Sequence, residues 1–339
     1  MNAENAKRFF EEYTGQEASE WKMLARSGSA RVNFLAAAGD KKYIVTCNGN
    51  IQENESFLYY SRLFSELDLN TPAIFKVSAD RQAYIQEFLG TSTLSEIIAA
   101  EGITDAVKSL IRQTLKELYR LQVATHEKTD FSKTFEYEKY DELPVTHDLY
   151  YFKNFTADVL ELEYHKAALL KEFKKMVTLV ESLAPKGIMI RDFQARNIMV
   201  DDKGKISFID YQSAMEGPLM YDVISFLFQA KADFPEDFKN EMLDFYTGQF
   251  ESNETRVKLK NSVKPLQMMR FLQVLGAYGF RGLIQRKPHF TGSLEKGIKN
   301  ISELAESWNG MKEYPELANV IRQLGSDTTR EKINRILSS

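Results

Sequence analysis

The 339 residues are 43% hydrophobic and 27% charged, the balance of a folded protein of one large or two modest domains and not of a long disordered tract. The 44 lysines and arginines against 48 aspartates and glutamates leave a net charge of -4, which excludes a general polyanion binder and argues against nucleic acid as a partner. Cys47 is the single cysteine, which excludes intramolecular disulfides and thiolate zinc clusters, and His126, His147, His165 and His289 are too scattered for a metal-ligand spacing.

The charged, amphipathic stretch from Met1 to Tyr13 has no apolar core of a secretory signal. No apolar run approaches the ~20 residues that span a bilayer, so the expectation is a soluble cytoplasmic protein with no membrane partner. Trp21 to Arg26 and Ala30 to Ala37 read as strands around a Ser27-Gly28-Ser29 turn, and Ala38 to Lys41 turns into a third strand, Tyr43 to Cys47. From Glu53 the period changes: Phe57, Tyr60, Phe64 and Leu67 share a helical face, with Pro72 after its end. A hairpin follows, Ile74 to Ser78 and Ala83 to Phe88. Beyond residues 89–92 the pattern is mostly helical, over 104–124, 156–183, 220–230, 236–250 and 256–286. One β-like island interrupts it, with apolar runs at 187–190, 197–200 and 205–209 and a turn at Asp201 to Gly204. The expected fold is α+β and bilobal: a small antiparallel sheet lobe with one helix over 1–88, a hinge at 89–92, and a larger, mostly helical lobe over 93–339.

The island also carries the chemistry. It reads Arg191-Asp192-Phe193-Gln194-Ala195-Arg196-Asn197, then Ile209-Asp210-Tyr211-Gln212. Phosphoryl transfer needs in-line positioning, metal ions to neutralise phosphate charge, and an acceptor for the attacking hydroxyl's proton. Asp192 suits the last role, and Asn197 and Asp210 are hard oxygen donors that suit Mg²⁺. Asp and Asn are also ordinary turn residues. A second Asp at the end of an apolar strand, in this order, makes the catalytic reading the stronger one.

These motifs resemble the aminoglycoside phosphotransferase/choline kinase superfamily, distant relatives of protein kinases. Within it they are most similar to bacterial sugar kinases that phosphorylate N-acetylmuramate and N-acetylglucosamine at the anomeric hydroxyl; Gly217-Pro218 and Tyr221-Asp222 extend the likeness. The resemblance implies a protein-kinase-like fold using ATP and Mg²⁺, with Asp192 as catalytic base and Asn197 and Asp210 as metal ligands. It places Gln86-Glu87-Phe88-Leu89 at the adenine edge, and the turn with Gly28, Ser29 and Arg31 over the phosphates. Arg196 is either a cation for the transferred phosphoryl group or a partner in a salt bridge.

The chain departs from the superfamily pattern at three places, one being that Asp210 is followed by Tyr211-Gln212, which argues against a protein-kinase style activation switch. Ile190 stands where a histidine is usual, and the strand 43–47 lacks the lysine that pairs with phosphates and a helix glutamate. Lys41, Lys42, Arg31 and Arg196 are the candidates to replace that cation. For the acceptor, Gln194 and Gln212 offer neutral amides, and Arg270, Gln273 and Arg281 recur at helical spacing, Arg281 being suited to a carboxylate. Tyr150 to Phe152 and Phe155 are candidates to stack on a sugar face. The expected activity is phosphorylation of an amino-sugar anomeric hydroxyl. Choline, ethanolamine, homoserine or an aminoglycoside are rival acceptors, and a nucleotide-binding pseudokinase is a rival class. Oligomeric state is left open.

Overall fold

Helix α1, Ala3–Thr14, begins where the Asn2 side chain accepts from the Asn5 N–H at 2.9 Å, and it ends in a left-handed Gly15. The structure, a computed structural model, describes residues 2–25, 30–229 and 232–338. Five antiparallel strands follow α1 in a sheet of order β1-β2-β3-β5-β4: β1 Glu20–Met23, β2 Val32–Ala38, β3 Lys41–Cys47, β4 Ile74–Val77 and β5 Ala83–Glu87. The β2–β3 turn is only Gly39-Asp40, shorter than expected, with Gly39 at φ +59°. Side chains alternate faces along each strand. Phe34, Ala36, Ala38, Val45, Cys47, Ala83 and Ile85 bury one face together with Ala6 and Phe10 of α1. Asn33, Thr46 and Gln86 stand on the other face, joined side chain to side chain: Thr46 Oγ1 donates to Asn33 Oδ1 at 2.8 Å and accepts from Gln86 Nε2 at 3.0 Å.

Helix α2, Ile51–Glu66, lies between β3 and β4 and buries Phe57, Tyr60 and Phe64, as the helical spacing predicts. β6, Ser92–Thr93, leads into α3, Leu94–Glu101, through a capping box of Thr93 and Glu96, and α4, Asp105–Ala124, completes this stretch.

The helix expected over 156–183 starts only at Lys166, and an unexpected helix precedes it. Asp141 caps α5, Glu142–Phe152, which runs into a π-helical turn at Lys153–Ala157; α6, Lys166–Ser182, starts afresh where His165 Nδ1 accepts from the Ala168 N–H at 3.2 Å. Glu161, at φ +48°, lies in the non-helical stretch that separates them. Part of the supposed acidic loop at 136–142 is thus a helix start. The first run of the β island, β7 Lys186–Met189, pairs not with the other two but with β10, Met215–Pro218. Gly217 lets the Met189 side chain pack closely there, since a Cβ would lie 2.7 Å from Met189 Sδ. The other two runs, β8 Ile198–Val200 and β9 Ile206–Phe208, form a hairpin with β6 along its other edge.

The remainder is helical: α7 Met220–Leu227, α8 Glu236–Gly248, α9 Asn253–Tyr278, α10 Pro288–Ser307, α11 Pro315–Leu324 and α12 Asp327–Ser338. The single helix expected over 256–286 ends its α-helical part at Tyr278 and becomes a π-helical turn, Gly279–Ile284. A Cβ on Gly279 would come 1.9 Å from the Phe155 carbonyl oxygen, so close packing on the first π-helical turn accompanies the change. α9 is the hub of this region, with Leu266, Met268, Met269, Leu272 and Leu275 fully buried. Buried Glu172 on α6 accepts the Glu316 and Leu317 N–H groups at 2.9 and 2.8 Å, satisfying the start of α11.

The fold is α+β, a small antiparallel sheet with a mostly helical remainder. Its compact units are drawn along a different line from the lobes expected at 89–92. One takes residues 1–138 with 190–215, the other 139–189 with 216–339. The physical reason is the β6–β8–β9 sheet, with α3 and α4 packed on it, which ties the 190–215 island to the first unit.

Candidate active site

The first unit gathers Asp192, Asn197 and Asp210. The β8–β9 hairpin does this: Asn197 immediately precedes β8 and Asp210 lies just past β9. The Ile209 N–H donates to the Asn197 carbonyl at 3.1 Å and closes the base of the hairpin. Asn197 Nδ2 then donates both to the Asp192 carbonyl, at 2.9 Å, and to Asp210 Oδ2, at 3.3 Å. Thirteen positions of chain collapse to one side-chain contact. Arg191 and Asp210 hold φ of +70° and +66°, a conformation costly for residues with a Cβ and often found where a side chain is held for function. The Asp192 carboxylate is half-buried, and among the described residues it makes no ion pair, nor does exposed Arg196; the salt bridge considered for Arg196 is therefore not formed.

Arg31 lies just before β2, on the face that carries Asn33. Its Nε is 3.1 Å from Glu53 Oε1, and its NH2 donates to Asp210 Oδ1 at 2.5 Å. Burial opposes the guanidinium charge, but Asp210, Tyr84 and Glu53 outweigh it, so the Arg31 pKa is raised. Tyr84, fully buried beside it, has its phenol pushed up to about 12 by burial, with Arg31 pulling the other way. Glu53, in the first turn of α2, is also held by Asn48 Nδ2 at 2.8 Å.

Helix α2 is fastened along the segment after Asp210. Ser56 Oγ donates to the Gln212 carbonyl at 2.7 Å, Tyr60 OH to the Ala214 carbonyl at 2.9 Å, and Ser61 Oγ lies 2.7 Å from Tyr211 OH. The Phe57 ring is stacked between Tyr84 and Tyr211, with centroids 5.0 and 4.8 Å away. Each contact follows from a residue of α2 at helical spacing. Together they set Asp210 against Arg31, and none was anticipated in the sequence beyond the apolar face itself.

Gln212 is buried, and its Nε2 donates to Asp210 Oδ1 at 3.2 Å, while its Oε1 is buried without a hydrogen-bond partner. Gln194 is half-exposed, with its carbonyl accepting the Asn197 N–H at 2.8 Å. Gln86 and Glu87 end β5, with the Glu87 N–H donating to the Ala73 carbonyl at 2.9 Å; Leu89 follows the strand. Gly28 and Ser29 lie outside the described residues.

These donors suit a hard divalent cation. Asn197 uses its amide nitrogen in the two bonds above, leaving its neutral oxygen as the donor atom, and Asp210 supplies a carboxylate. Among the described residues no three His, Cys, Asp or Glu side chains cluster to hold a metal.

In the second unit, Arg270 is buried; its NH1 donates to Gln273 Oε1 at 2.8 Å, and its guanidinium lies 5.9 Å from the Tyr221 ring centre. Arg281 is half-buried, 5.3 Å from the Phe290 ring centre. Tyr151 and Phe155 are joined by Phe280, which the sequence did not suggest: Phe155 lies 4.9 Å from both Tyr151 and Phe280. The cluster is built on the two π-helical turns, a local form over-represented at functional sites. Burial raises the Tyr151 pKa, and Arg281 is near enough to oppose that rise. Among the described residues no helix is long and apolar enough to cross a membrane.

Residues 24–259, well over half of the chain, match the model of the phosphotransferase enzyme family. An N-acetylmuramate/N-acetylglucosamine kinase of Neisseria meningitidis serogroup B is 27% identical over 228 residues, a match spanning 66% of this chain and 65% of that protein. Choline kinase LicA of Streptococcus pneumoniae is similar in structure, with a TM-score of 0.61 at 14% identity over 88% of this chain and 99% of its own. A spectinomycin phosphotransferase in complex with AMP gives 0.63 at 13% identity, over 90% and 98%. The two solved structures share the protein-kinase-like fold, and with the family match over the hairpin and its two aspartates the chain belongs to the phosphotransferase enzyme family.

Proposed function

We propose that the protein is an ATP- and magnesium-dependent small-molecule kinase whose acceptor is the anomeric hydroxyl of an N-acetylated amino sugar, giving a sugar 1-phosphate. The observation that carries the kinase reading is the 3.3 Å contact of Asn197 with Asp210, made by an asparagine that also ties down the Asp192 backbone. In this reading residues 89–92 are the hinge between the parts 1–88 and 93–339, and the reaction takes place in the cytoplasm. The backbone of residues 86–89 holds the adenine edge.

Asp192 orients the acceptor hydroxyl and takes its proton. The hydroxyl oxygen bonds to the γ-phosphorus as the bond from that phosphorus to its bridging oxygen breaks, and ADP leaves with no phospho-enzyme. Asn197 and Asp210 would hold magnesium, which when bound neutralises phosphate charge. Arg196, exposed on the same loop, is a cation for the charge that develops on the transferred group.

Support for the sugar comes from the relative in Neisseria meningitidis. Arg281 is assigned to a carboxylate on the acceptor, as N-acetylmuramate would carry. ADP release measured over a panel of N-acetylmuramate, N-acetylglucosamine, choline, ethanolamine, homoserine and aminoglycosides is the test. Turnover with the sugars, with loss of their reducing ends, is expected. Turnover with choline and no sugar would overturn the acceptor; ATP binding with no turnover across the panel would overturn the kinase and leave the pseudokinase.

A further inference from the structure

β3 has no lysine at the centre of the face away from α1. That face of the strand presents Lys42, Ile44 and Thr46, and Lys42 is exposed, 5.7 Å from the Phe88 ring centre. The cation that meets the α2 glutamate comes instead from the start of the neighbouring strand: Arg31 bridges Glu53 and Asp210, with its side chain 12% exposed. Both oxygens of Asp210 are occupied, Oδ1 by Arg31 and Gln212 Nε2, Oδ2 by Asn197 Nδ2. Of those donors Arg31 alone is charged.

We propose that Arg31 is a resident counter-cation for Asp210: it neutralises the carboxylate in the empty enzyme and competes with an incoming divalent cation for it. This rests on the reading of Asp210 as a metal ligand. Two positive charges cannot share one carboxylate without mutual repulsion, so free metal is discriminated against. Glu53 retains the guanidinium once Asp210 is given up, which keeps a cation beside the metal position. The anionic phosphates of a nucleotide then tip the balance, because they attract Arg31 and the metal alike. Binding of metal and of nucleotide is therefore coupled through one side chain, and the cation missing from β3 is supplied without loss of the α2 ion pair.

The test is Mn²⁺ binding without nucleotide, followed by electron paramagnetic resonance of the free ion, in the wild type and in Arg31→Met. The variant is expected to bind Mn²⁺ at least about tenfold more tightly, and ADP in the presence of Mn²⁺ about tenfold or more weakly. Arg31→Lys keeps a charge but cannot span both carboxylates, and gives a smaller gain in Mn²⁺ affinity. It decides the matter if Arg31→Met does not fold. A merely structural role would lower both affinities together. Unchanged or weaker Mn²⁺ binding in a folded variant overturns the proposal. Asp210→Asn separates this from failure of the underlying reading: if it leaves Mn²⁺-dependent ADP binding intact, Asp210 is no metal ligand. If it abolishes that binding while Arg31→Met gives no gain, only the competition falls.

Discussion

Two arginines, Arg270 buried and Arg31 largely so, keep different company. Arg31, in the unit of residues 1–138 and 190–215, bridges two carboxylates that belong to a helix and to the end of a hairpin. Arg270, in the other unit, donates to the amide of Gln273 one helical turn away and lies against the Tyr221 ring. The first ties elements distant in sequence to the carboxylate that we propose holds magnesium. The second braces the helical region from within. A buried arginine is therefore informative about function only through its partners, and a helical stripe of arginines is a weak pointer to a ligand. In the helical unit the stronger pointers are the two π-helical turns and the aromatic rings they carry.

The contrast can be broken most sharply at Asp192. Asp192→Asn should lower kcat by roughly 10²–10⁴ while ADP affinity and melting temperature stay near wild type, as measured by coupled assay and calorimetry. A variant with unchanged kcat would remove the first unit's claim to the chemistry. Phe57→Ala tests whether that unit is held by α2: loss of the ring between Tyr84 and Tyr211 should cost about 3–5 kcal/mol in urea unfolding. A cost near zero would mean that the polar contacts of Ser56 and Tyr60 suffice.

Arg281→Met probes the helical unit. The KM for a carboxylate-bearing sugar should rise about tenfold or more, with that for a neutral N-acetyl sugar little changed. Equal effects on both would make Arg281 structural, like Arg270.

The smallest effect concerns Cys47, inside the sheet core, where burial raises the thiol to about 11 from an ordinary 9.0. The folded state keeps the thiol neutral, so this contribution to stability is present below pH 9.0 and is lost as pH rises through about 11. Labelling by a thiol reagent at about pH 8 should follow unfolding, and rapid labelling of the native protein would show that α1 does not cover the sheet.

Much of the candidate site was legible because its residues sit on one short loop and one hairpin. Asp192 and Asn197 lie five positions apart on the loop, and only a turn that Asp201 and Gly204 announce separates Asn197 from Asp210, so their approach is local. The apolar face of α2 was legible for a similar reason, being a periodicity of neighbours. The ion pairs of Arg31 were not, since 179 positions separate it from Asp210 and no spacing rule spans that distance. The late start of α6 was missed because an apolar rhythm continues through residues 158–165 while the helical backbone does not, and α5 was not expected at all. Phe280 was missed because its face is set by a π-helical turn, which shifts the register that α-helical counting assumes.

Local rules of spacing and alternation, acting on the amino acids alone, were enough to establish an α+β chain with a strand-rich front, a helical remainder and a loop of phosphoryl-transfer character. Which strands pair, with β7 joining β10 and β6 joining β8, was decided only in three dimensions. So was the identity of the cation beside Asp210. Pairing partners and buried charges are chosen by whatever the completed fold brings into contact, and their energy depends on a low-dielectric interior that does not exist until the chain has closed around it.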